Sequence, residues 1–402
     1  MNHLNKVFLI SRPNWQEKIK SLGLTYNEIQ YGDGTSDEYW NESMAWEFSS
    51  KEISIIEDLA TALHFKMIAA LEYVIEKHPE HLIRMGYTPA FISKAIETWN
   101  FEAKGLYGRF DFALKRNSND FIPVVLEYNA ETPTTLLEAS IVQWHWLKEV
   151  RPDSDQFNFL HEQLIATWTE FRNLAPIELL HLACADHAAE DEANLFYMAD
   201  VATQSGFTIK VMNMSDICEV LVNGRKVFTD PDGEPIQSLF KLYPWEWMSR
   251  EEFFEDFTNT GIRVYEPMWR ALLSSKALLP ILHKLYPSDP SILKAWYTEE
   301  EAMASGLPYV KKPVLGREGC GVSIFDGADT LLSMDEIENM ASGFIYQERA
   351  DMLVSRDQAD RPTYAIMGVW VVGETACGMG IRESLDKVTN DTSYFVPHYI
   401  KG

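Results

Sequence analysis

The chain has few cysteines, and their spacing excludes the sites that cysteines form as a group. Its four cysteines, Cys184, Cys218, Cys320 and Cys377, lie far apart. No Cys-x-x-Cys pair is present, so the sequence predicts neither a structural zinc site nor a disulfide framework. We expect reduced, partly buried thiols. Cys320 differs from the others because it lies in a glycine-rich loop, where a role as a catalytic thiol stays open.

Long apolar runs and an excess of positive charge are also missing. No hydrophobic stretch reaches the roughly 18 residues that a membrane-spanning helix needs, and residues 1–7 lack the apolar core of a signal peptide. The formal net charge is −25, whereas binding to a nucleic-acid duplex requires clustered Lys and Arg. The sequence therefore predicts a cytoplasmic protein that binds neither membranes nor nucleic acids. It leaves the oligomeric state open.

The size and the hydrophobic content are those of a globular protein with a large core. The chain has 402 residues, of which 46% are hydrophobic, which allows two or three structural lobes. Apolar residues at helical spacing predict a long helix over 50–77 in a largely helical first hundred residues. A strand at 179–184, followed by a helix and a second strand, predicts a small Rossmann-like lobe over 175–262. No Gly-x-Gly-x-x-Gly follows the first strand, so the dinucleotide fingerprint is absent.

A predicted β-hairpin carries the most informative polar residues. Its strands, 106–112 and 123–130, flank a polar turn. Because side chains alternate between the faces of a strand, residues of one parity share a face. The odd-numbered polar residues are Arg109, Asp111, Glu127 and Asn129, and the opposite, apolar face has Phe110, Phe112, Val124, Leu126 and Tyr128. With the turn centred on Asn119, the two carboxylates face each other and the guanidinium faces the amide.

This hairpin face has the donor groups of a magnesium site. Mg²⁺ prefers oxygen ligands and usually combines one or two carboxylates with substrate phosphates. Asp111, Glu127 and Asn129 are therefore the candidate metal ligands. An exposed sheet face with ordinary cross-strand ion pairs is the alternative that the pattern leaves open.

A second group of residues has the features of a phosphate site. Three glycines, Gly316, Gly319 and Gly321, lie in a loop between two predicted strands, where backbone N–H groups can wrap an anion. The loop is not a Walker motif, but it directly follows a strand whose Lys312 can reach a phosphate. Lys276 emerges from a mostly apolar helical stretch predicted to break at Pro280. The alternatives are a flexible turn and a lysine that extends to solvent.

Four stretches taken together in this order resemble one family. They are Arg109-Phe-Asp111, Glu127-Tyr-Asn129-Ala-Glu-Thr-Pro-Thr134, Lys312-Pro with Gly316-Arg-Glu-Gly319, and Phe395-Val-Pro-His-Tyr399. From about Arg12 to Tyr399 the chain resembles the glutathionylspermidine synthetase family. The resemblance implies a mixed α/β (α+β) protein with the ATP-grasp fold, a Rossmann-like pre-ATP-grasp lobe and a helical N-terminal region. We expect the synthetase portion alone, without the amidase domain of the family.

The resemblance also implies an activity, an ATP- and Mg²⁺-dependent carboxylate–amine ligase. Such an enzyme activates the carboxylate as an acyl phosphate, which an amine attacks to form an amide. In the family the acid is glutathione and the amine is a polyamine such as spermidine, so both substrates are small molecules. An ATPase or phosphotransferase with the same nucleotide site, or a non-catalytic ATP-binding protein, is the alternative.

The resemblance assigns roles to individual residues and ranges. Residues 1–402 form one catalytic unit, with the helical region and the metal-binding hairpin in 1–174, the Rossmann-like lobe in 175–262 and the nucleotide-binding region in 263–402. The metal ligands Asp111, Glu127 and Asn129 hold two Mg²⁺ ions, and the catalytic arginines are Arg109 and Arg382. The nucleotide-binding residues are Lys276, Lys312, Gly316, Gly319, Gly321, Gln347, Glu348 and Ala350. The substrate-binding residues are Thr132, Thr134 and Glu246.

Overall fold

The computed structural model describes nine stretches of the chain. They are residues 5–30, 36–117, 120–174, 177–186, 189–326, 329–333, 342–352, 354–388 and 393–402. In these stretches, none of the helices combines the length and the apolar character needed to span a lipid bilayer. The described residues form a mixed α/β protein, as the sequence predicts.

The helices range from one turn to more than seven turns. They are α1 Trp15–Ser21, α2 Ser50–Lys77, α3 Pro89–Asn100, α4 Gln143–Val150, α5 Leu160–Leu174, α6 Ala189–Gln204, α7 Trp245–Met248, α8 Phe254–Thr258, α9 Met268–Ser274, α10 Leu279–Leu285 and α11 Glu299–Ala304. The long helix α2 begins at a capping box in which Ser49 and Glu52 bond each other's backbone N–H groups. Its apolar stripe, from Ile53 to Val74, is buried in the main core, which confirms the helix predicted over 50–77.

The strands are short except in the sheet that carries the hairpin. They are β1 Asn5–Phe8, β2 Glu28–Gln30, β3 Ser36–Glu38, β4 Met44–Phe48, β5 Tyr107–Asn117, β6 Asp120–Asn129, β7 Leu179–Cys184, β8 Thr208–Asn213, β9 Cys218–Val222, β10 Arg225–Thr229, β11 Ser238–Leu242, β12 Arg263–Tyr265, β13 Ala295–Trp296, β14 Tyr309–Pro313, β15 Ser323–Asp326, β16 Asp329–Ser333, β17 Phe344–Glu348, β18 Val354–Arg356, β19 Pro362–Val372, β20 Thr375–Ser384, β21 Tyr394–Val396 and β22 His398–Ile400.

Three sheets surround the site. An antiparallel sheet has the order β21-β20-β19-β5-β6, and a second antiparallel sheet has the order β13-β17-β14-β15-β16. The third sheet, β12-β11-β7-β8, is parallel and is joined by α6 between β7 and β8, so the predicted Rossmann-like lobe is present. The hairpin β5–β6 thus shares a sheet with strands from residues 362–396. The domain ranges drawn from the sequence stay predictions.

The helical stretch that holds Lys276 is interrupted, but not where the sequence predicts. The break lies at Ser275, whose backbone is extended and whose side chain caps a short 3₁₀ turn over Lys276–Leu278. Pro280 lies in the first turn of α10, where a missing N–H costs no hydrogen bond. The predicted break at Pro280 is therefore wrong by about one turn, and Lys276 lies at the start of the new segment.

Arg270, on α9, fixes the two ends of the hairpin. It is buried, its Nε donates to the carbonyl of Ala130 at 3.0 Å, and its Nη2 donates to the carbonyl of Tyr107 at 2.5 Å. Its charge is balanced by the buried Glu266 at 3.3 Å. A Cβ on Gly105 would lie 2.7 Å from the Arg270 side chain. The close approach of the backbone at residue 105 to Arg270 therefore requires glycine.

Replacement of Arg270 should destabilise the whole protein. In Arg270→Met the carboxylate of Glu266 stays buried without its partner, which should lower the free energy of unfolding by about 3–5 kcal/mol. Urea denaturation followed by tryptophan fluorescence measures this change. The control is Arg356→Met, an exposed arginine paired with Asp360 at 3.5 Å, for which the change should stay within about 0.5 kcal/mol. Equal changes in both variants would contradict the role of Arg270.

Candidate active site

A cavity of about 560 Å³ lies where the three sheets meet. Its lining comes from the β5–β6 face, from β14 and the loop after it, and from Leu242 at the carboxyl end of β11. Ligands of open α/β sheets bind beyond the carboxyl ends of the strands. Most of the predicted site residues line this cavity, namely Arg109, Asp111, Glu127, Asn129, Thr132, Thr134, Lys276, Lys312, Gly316, Gly319, Gln347, Glu348, Ala350 and Arg382.

The register of the hairpin confirms the predicted pairs. Arg109 lies opposite Asn129 and Asp111 lies opposite Glu127. The register then shifts by one residue, so that Phe112 pairs with Val125. The predicted centre of the turn, Asn119, lies outside the described residues.

The bulge also changes which residues are in the main core. Val125 packs there with Phe110, Phe112 and Tyr128. Val124 instead belongs to a small cluster with Ala113, and Leu126 packs against that cluster and lines the cavity. The prediction that Val124 and Leu126 share the face of the phenylalanines is therefore wrong, because one extra residue reverses the alternation of a strand.

Asp111 is held by two arginines. Arg109 donates to both of its oxygens, from Nε at 2.7 Å and from Nη2 at 3.1 Å, and Arg382 donates to Oδ2 at 3.3 Å. Arg109 and Asp111 are buried, so this pairing compensates charges that are out of contact with bulk water. Gly368 on β19 lies against Arg109, because a Cβ there would come within 2.7 Å of the arginine side chain.

Glu127 is held by a lysine and by its neighbour on the same strand. Lys276 Nζ lies 3.0 Å from its carboxylate, and the Asn129 amide donates to it at 3.2 Å. Burial alone would raise the pKa of Glu127, but the charges of Lys276 and Lys312 outweigh it and lower the pKa to about 2. Glu127 is therefore ionised at neutral pH, as a metal ligand must be.

Lys312 is a buried lysine of the cavity lining, and its pKa is lowered. Burial lowers its pKa to about 8, with Glu127 opposing the shift and Lys276 adding to it. Its ammonium donates to the carbonyl of Leu126 at 3.2 Å and to Gln347 Oε1 at 2.8 Å. A buried ammonium close to a second one gains stability from a bound anion.

The charges on this face suit a metal-bound triphosphate. Four cations, Arg109, Arg382, Lys276 and Lys312, surround the two carboxylates, so the hairpin face has an excess of positive charge. The carboxylates and the Asn129 oxygen are the hard ligands that Mg²⁺ prefers, and the surplus cations match phosphate oxygens. The residues present therefore fit Mg²⁺ together with a nucleoside triphosphate.

The glycine loop between β14 and β15 covers one side of the cavity. It is built from two successive turns, with Cys320 N–H bonded to the Arg317 carbonyl and Val322 N–H bonded to the Gly319 carbonyl. Gly319 has a φ of +71°, which glycine adopts without strain. Lys276 donates to the carbonyl of Gly316 at 2.8 Å, which connects the loop to the metal-binding face.

Arg317 connects the same loop to the substrate-side residues. Its guanidinium donates to Thr132 Oγ1 at 3.2 Å and lies 5.5 Å from the ring centre of Trp247. Arg109 donates to the carbonyl of Thr134 at 2.6 Å. The segment from Thr132 to Thr134 thus contacts both the glycine loop and Arg109.

A buried ion pair lies directly before the segment from Thr132 to Thr134. Glu131 lies 3.2 Å from Lys241 on β11, and it also accepts a bond from the backbone N–H of Trp245. Burial lowers the pKa of Lys241 to about 8, and Glu131 opposes that shift. The pair ties the end of β6 to the parallel sheet.

Three predicted residues differ from expectation. Gln347 is buried and its amide is bonded to Lys312 and to the Val125 carbonyl, so its side chain supports the lysine. Among the described residues that line the cavity, neither Gly321 nor Glu246 is present. Glu246 instead lies 3.8 Å from Arg250, and burial raises its pKa.

Sequence reasoning missed an acidic end of the cavity. Glu190 and Asp191, in the first turn of α6, line it together with Tyr39. Burial, and then the charge of Glu190, raises the pKa of Asp191 to about 6. These acids follow a buried strand of a parallel sheet, a position that the switch-point rule for α/β sheets would have indicated. No comparable signal marks Tyr39.

Comparisons with known proteins place this geometry in context. A family model described as glutathionylspermidine synthase preATP-grasp matches residues 6–401. A candidate acid–amine ligase of Haemophilus influenzae is 37% identical over 398 residues, which is 97% of either chain. Trypanothione synthetase of Crithidia fasciculata is 28% identical over 76% of this chain, which spans 48% of that protein. The apo structure of a glutathione synthetase-like effector from Globodera pallida covers 96% of both chains with a TM-score of 0.58 at 11% identity, a likeness of fold.

Two adjacent lysines on β14 allow a matched test of the phosphate site. Lys312→Met should weaken the binding of a magnesium-bound, non-hydrolysable ATP analogue about 10- to 100-fold, since a hydrogen bond to a charged group contributes roughly 1.5–3 kcal/mol. Lys311→Met is the control, because the Lys311 ammonium lies 4.1 Å from the ring centre of Phe344 and the residue is not part of the cavity lining. Isothermal titration calorimetry measures both affinities. An equal effect of the two substitutions would contradict the assignment of Lys312.

Proposed function

This chain belongs to the glutathionylspermidine synthase family, and on that basis we propose that it is an ATP- and Mg²⁺-dependent ligase that joins a carboxylate to an amine. The observation that carries the proposal is the cavity itself. Paired carboxylates lie there among four cations, and the acids Glu190 and Asp191 line the same cavity. A polyphosphate suits the group of cations, and a cationic amine suits the two acids.

At the phosphate end, the residues of this chain position and neutralise charge. Bound Mg²⁺ and ATP would supply the phosphoryl group and the Lewis acid, with Asp111, Glu127 and Asn129 as the metal ligands. Arg109 is fixed by both oxygens of Asp111 and by Thr134 and Thr135, so its remaining Nη2 N–H group is preorganised toward charge that develops on a transferred phosphoryl group. Arg382 approaches the same carboxylate from β20.

Apolar residues of the cavity lining suit a nucleotide base. Val310 pairs with Ile324 on the neighbouring strand, and both line the cavity together with Ile366, Glu348 and Ala350. A slot of this kind accepts a planar base. We assign the nucleotide base to this slot.

The acid and the amine would bind on the other side of the hairpin. Thr132, Thr134 and Arg317 offer hydroxyl, carbonyl and guanidinium groups for a peptide carboxylate. Glu190 and Asp191 offer negative charge for an ammonium group. Since the matching family model is that of glutathionylspermidine synthase and one relative is a trypanothione synthetase, we propose glutathione or a similar thiol peptide as the acid and a polyamine such as spermidine as the amine.

One experiment tests this proposal directly. The protein is incubated with ATP and Mg²⁺ and a panel of thiol peptides and polyamines, while ADP release is followed and the products are analysed by mass spectrometry. We expect ADP release that requires both an acid and an amine, together with one amide product. ADP release without dependence on an amine would indicate an ATPase or a phosphotransferase, and binding of ATP without release would indicate a nucleotide-binding protein.

Removal of Arg109 should separate binding from chemistry. In Arg109→Ala we expect kcat to fall about 10²- to 10³-fold, because the preorganised donor to the developing charge is lost. The affinity for magnesium-bound ATP should change much less, because Lys276, Lys312 and Arg382 remain.

The matched control is Arg84→Ala, whose guanidinium lies 4.7 Å from the ring centre of Tyr297 and which is not part of the cavity lining. Its kcat and its ATP affinity should stay at the values of the unaltered protein. Unchanged kinetics in Arg109→Ala would remove this arginine from the mechanism.

A further inference from the structure

Glu138 is a buried carboxyl group with only half of its hydrogen bonding fulfilled. It lies at the start of a π-helical segment, Glu138–Val142, and its side chain is fully buried. Its Oε1 accepts hydrogen bonds from the hydroxyl of Tyr39 at 2.6 Å and from that of Tyr26 at 2.9 Å. Its Oε2 is buried and has no hydrogen-bond partner among the described residues.

This arrangement lowers the stability of the fold, which a purely structural role of Glu138 does not explain. A buried polar atom without a partner destabilises a fold by about 1–3 kcal/mol. A glutamine or an apolar side chain would fill the same volume without an excess of negative charge. The orphaned oxygen therefore indicates a carboxyl group that changes its protonation state in use.

The charges around Glu138 favour that change near neutral pH. Burial and the charge of Glu190 raise its pKa to about 7, and the hydrogen bonds from Tyr39 and Tyr26 limit the shift. Burial and the charges of Glu138 and Glu190 raise the pKa of Tyr39, and the charge of Arg382 opposes that shift. At neutral pH a large fraction of Glu138 is a carboxylate that can still take up a proton.

Tyr39 connects this carboxyl group to the cavity. It lines the cavity, together with Glu190 and Arg382, whereas Tyr26 and Glu138 do not. One hydrogen bond therefore leads from the hydroxyl of Tyr39, a residue of the cavity lining, to Glu138.

We propose that Tyr39 and Glu138 form a relay that takes up the proton released by the amine substrate as it forms the amide. The inference rests on the ligase function proposed above. It adds a general base for the acceptor, next to the acidic wall that would bind that amine.

The step balances without a further reactant. The nitrogen lone pair forms the bond to the activated carbonyl carbon, and the phosphate leaves with the electron pair of its C–O bond. The ammonium first gives one proton to the Tyr39 oxygen as Tyr39 passes its own proton to Glu138 Oε1, which frees the lone pair for the attack. The second proton of the nitrogen leaves with the phosphate. Glu138 ends as a carboxylic acid and loses the proton to water when the products leave.

The test compares two kinds of amine in two variants. A polyamine is charged near neutral pH and must lose a proton, whereas hydroxylamine is already neutral and has less need of a base. In Glu138→Gln and in Tyr39→Phe, we expect amide formation from the polyamine to fall at least about 10²-fold, as for other general bases. Formation of the hydroxamate should fall much less, so the ratio of the two rates changes by an order of magnitude or more.

The pH profile supplies a second readout. In the unaltered protein, amide formation from the polyamine should decline below about pH 7, where Glu138 becomes protonated. In Tyr26→Phe this decline should move to higher pH, because the hydrogen bond from Tyr26 lowers the pKa of Glu138. Since Tyr26 is outside the cavity lining, the rate at high pH should be retained.

Equal losses with both amines would overturn the relay and indicate a structural role, as would an unshifted profile in Tyr26→Phe. Circular dichroism and thermal unfolding identify a variant that has lost its fold, in which case the pH profile of Tyr26→Phe decides. Failure of the unaltered protein to form either product would instead contradict the proposed ligase function.

Discussion

Charge compensation across the hairpin is the constraint on which the site depends. Asp111 is buried and lies opposite the half-buried Glu127 on the neighbouring strand, and two carboxylates so placed repel each other unless cations separate them. Lys276 and two arginines supply that compensation. The cations come from β5, β20 and the break after α9, so the sheet and that helix must pack correctly before the carboxylates can be buried.

The sequence predicted the elements of the hairpin and the pairs of side chains that face each other, because strand alternation is a local property. It could not predict the bulge after Asp111, since neither Gly nor Pro marks the extra residue Leu126. The cations that pair with the carboxylates could not be predicted from local sequence patterns either. Arg382 and Asp111 are separated by 271 positions, and only the family resemblance brought them together. No local sequence pattern marks Tyr39 as a site residue. Glu190 follows a strand of the parallel sheet, and the rule that ligands bind beyond the carboxyl ends of such strands could have predicted it.

The glycine loop between β14 and β15 and the segment from Thr132 to Thr134 connect the parts of the cavity. Lys276 contacts both Glu127 and the Gly316 carbonyl, so the phosphate face and the loop share one cation. Arg317 reaches from the same loop to Thr132. Closure over a nucleotide would therefore change the surroundings of the acid substrate as well, which is how a ligase excludes water from a reactive intermediate.

The long hydrogen-bonded sheet has a consequence for biosynthesis. β5 gains its second neighbour only from β19, and Arg382 lies further on still. A nascent chain leaves the ribosome from its N-terminus, so during most of translation the early hairpin lacks this neighbour and its guanidinium partner. Nucleotide affinity should consequently arise in the last stage of synthesis, and a truncated translation product that ends before β19 would not sequester ATP.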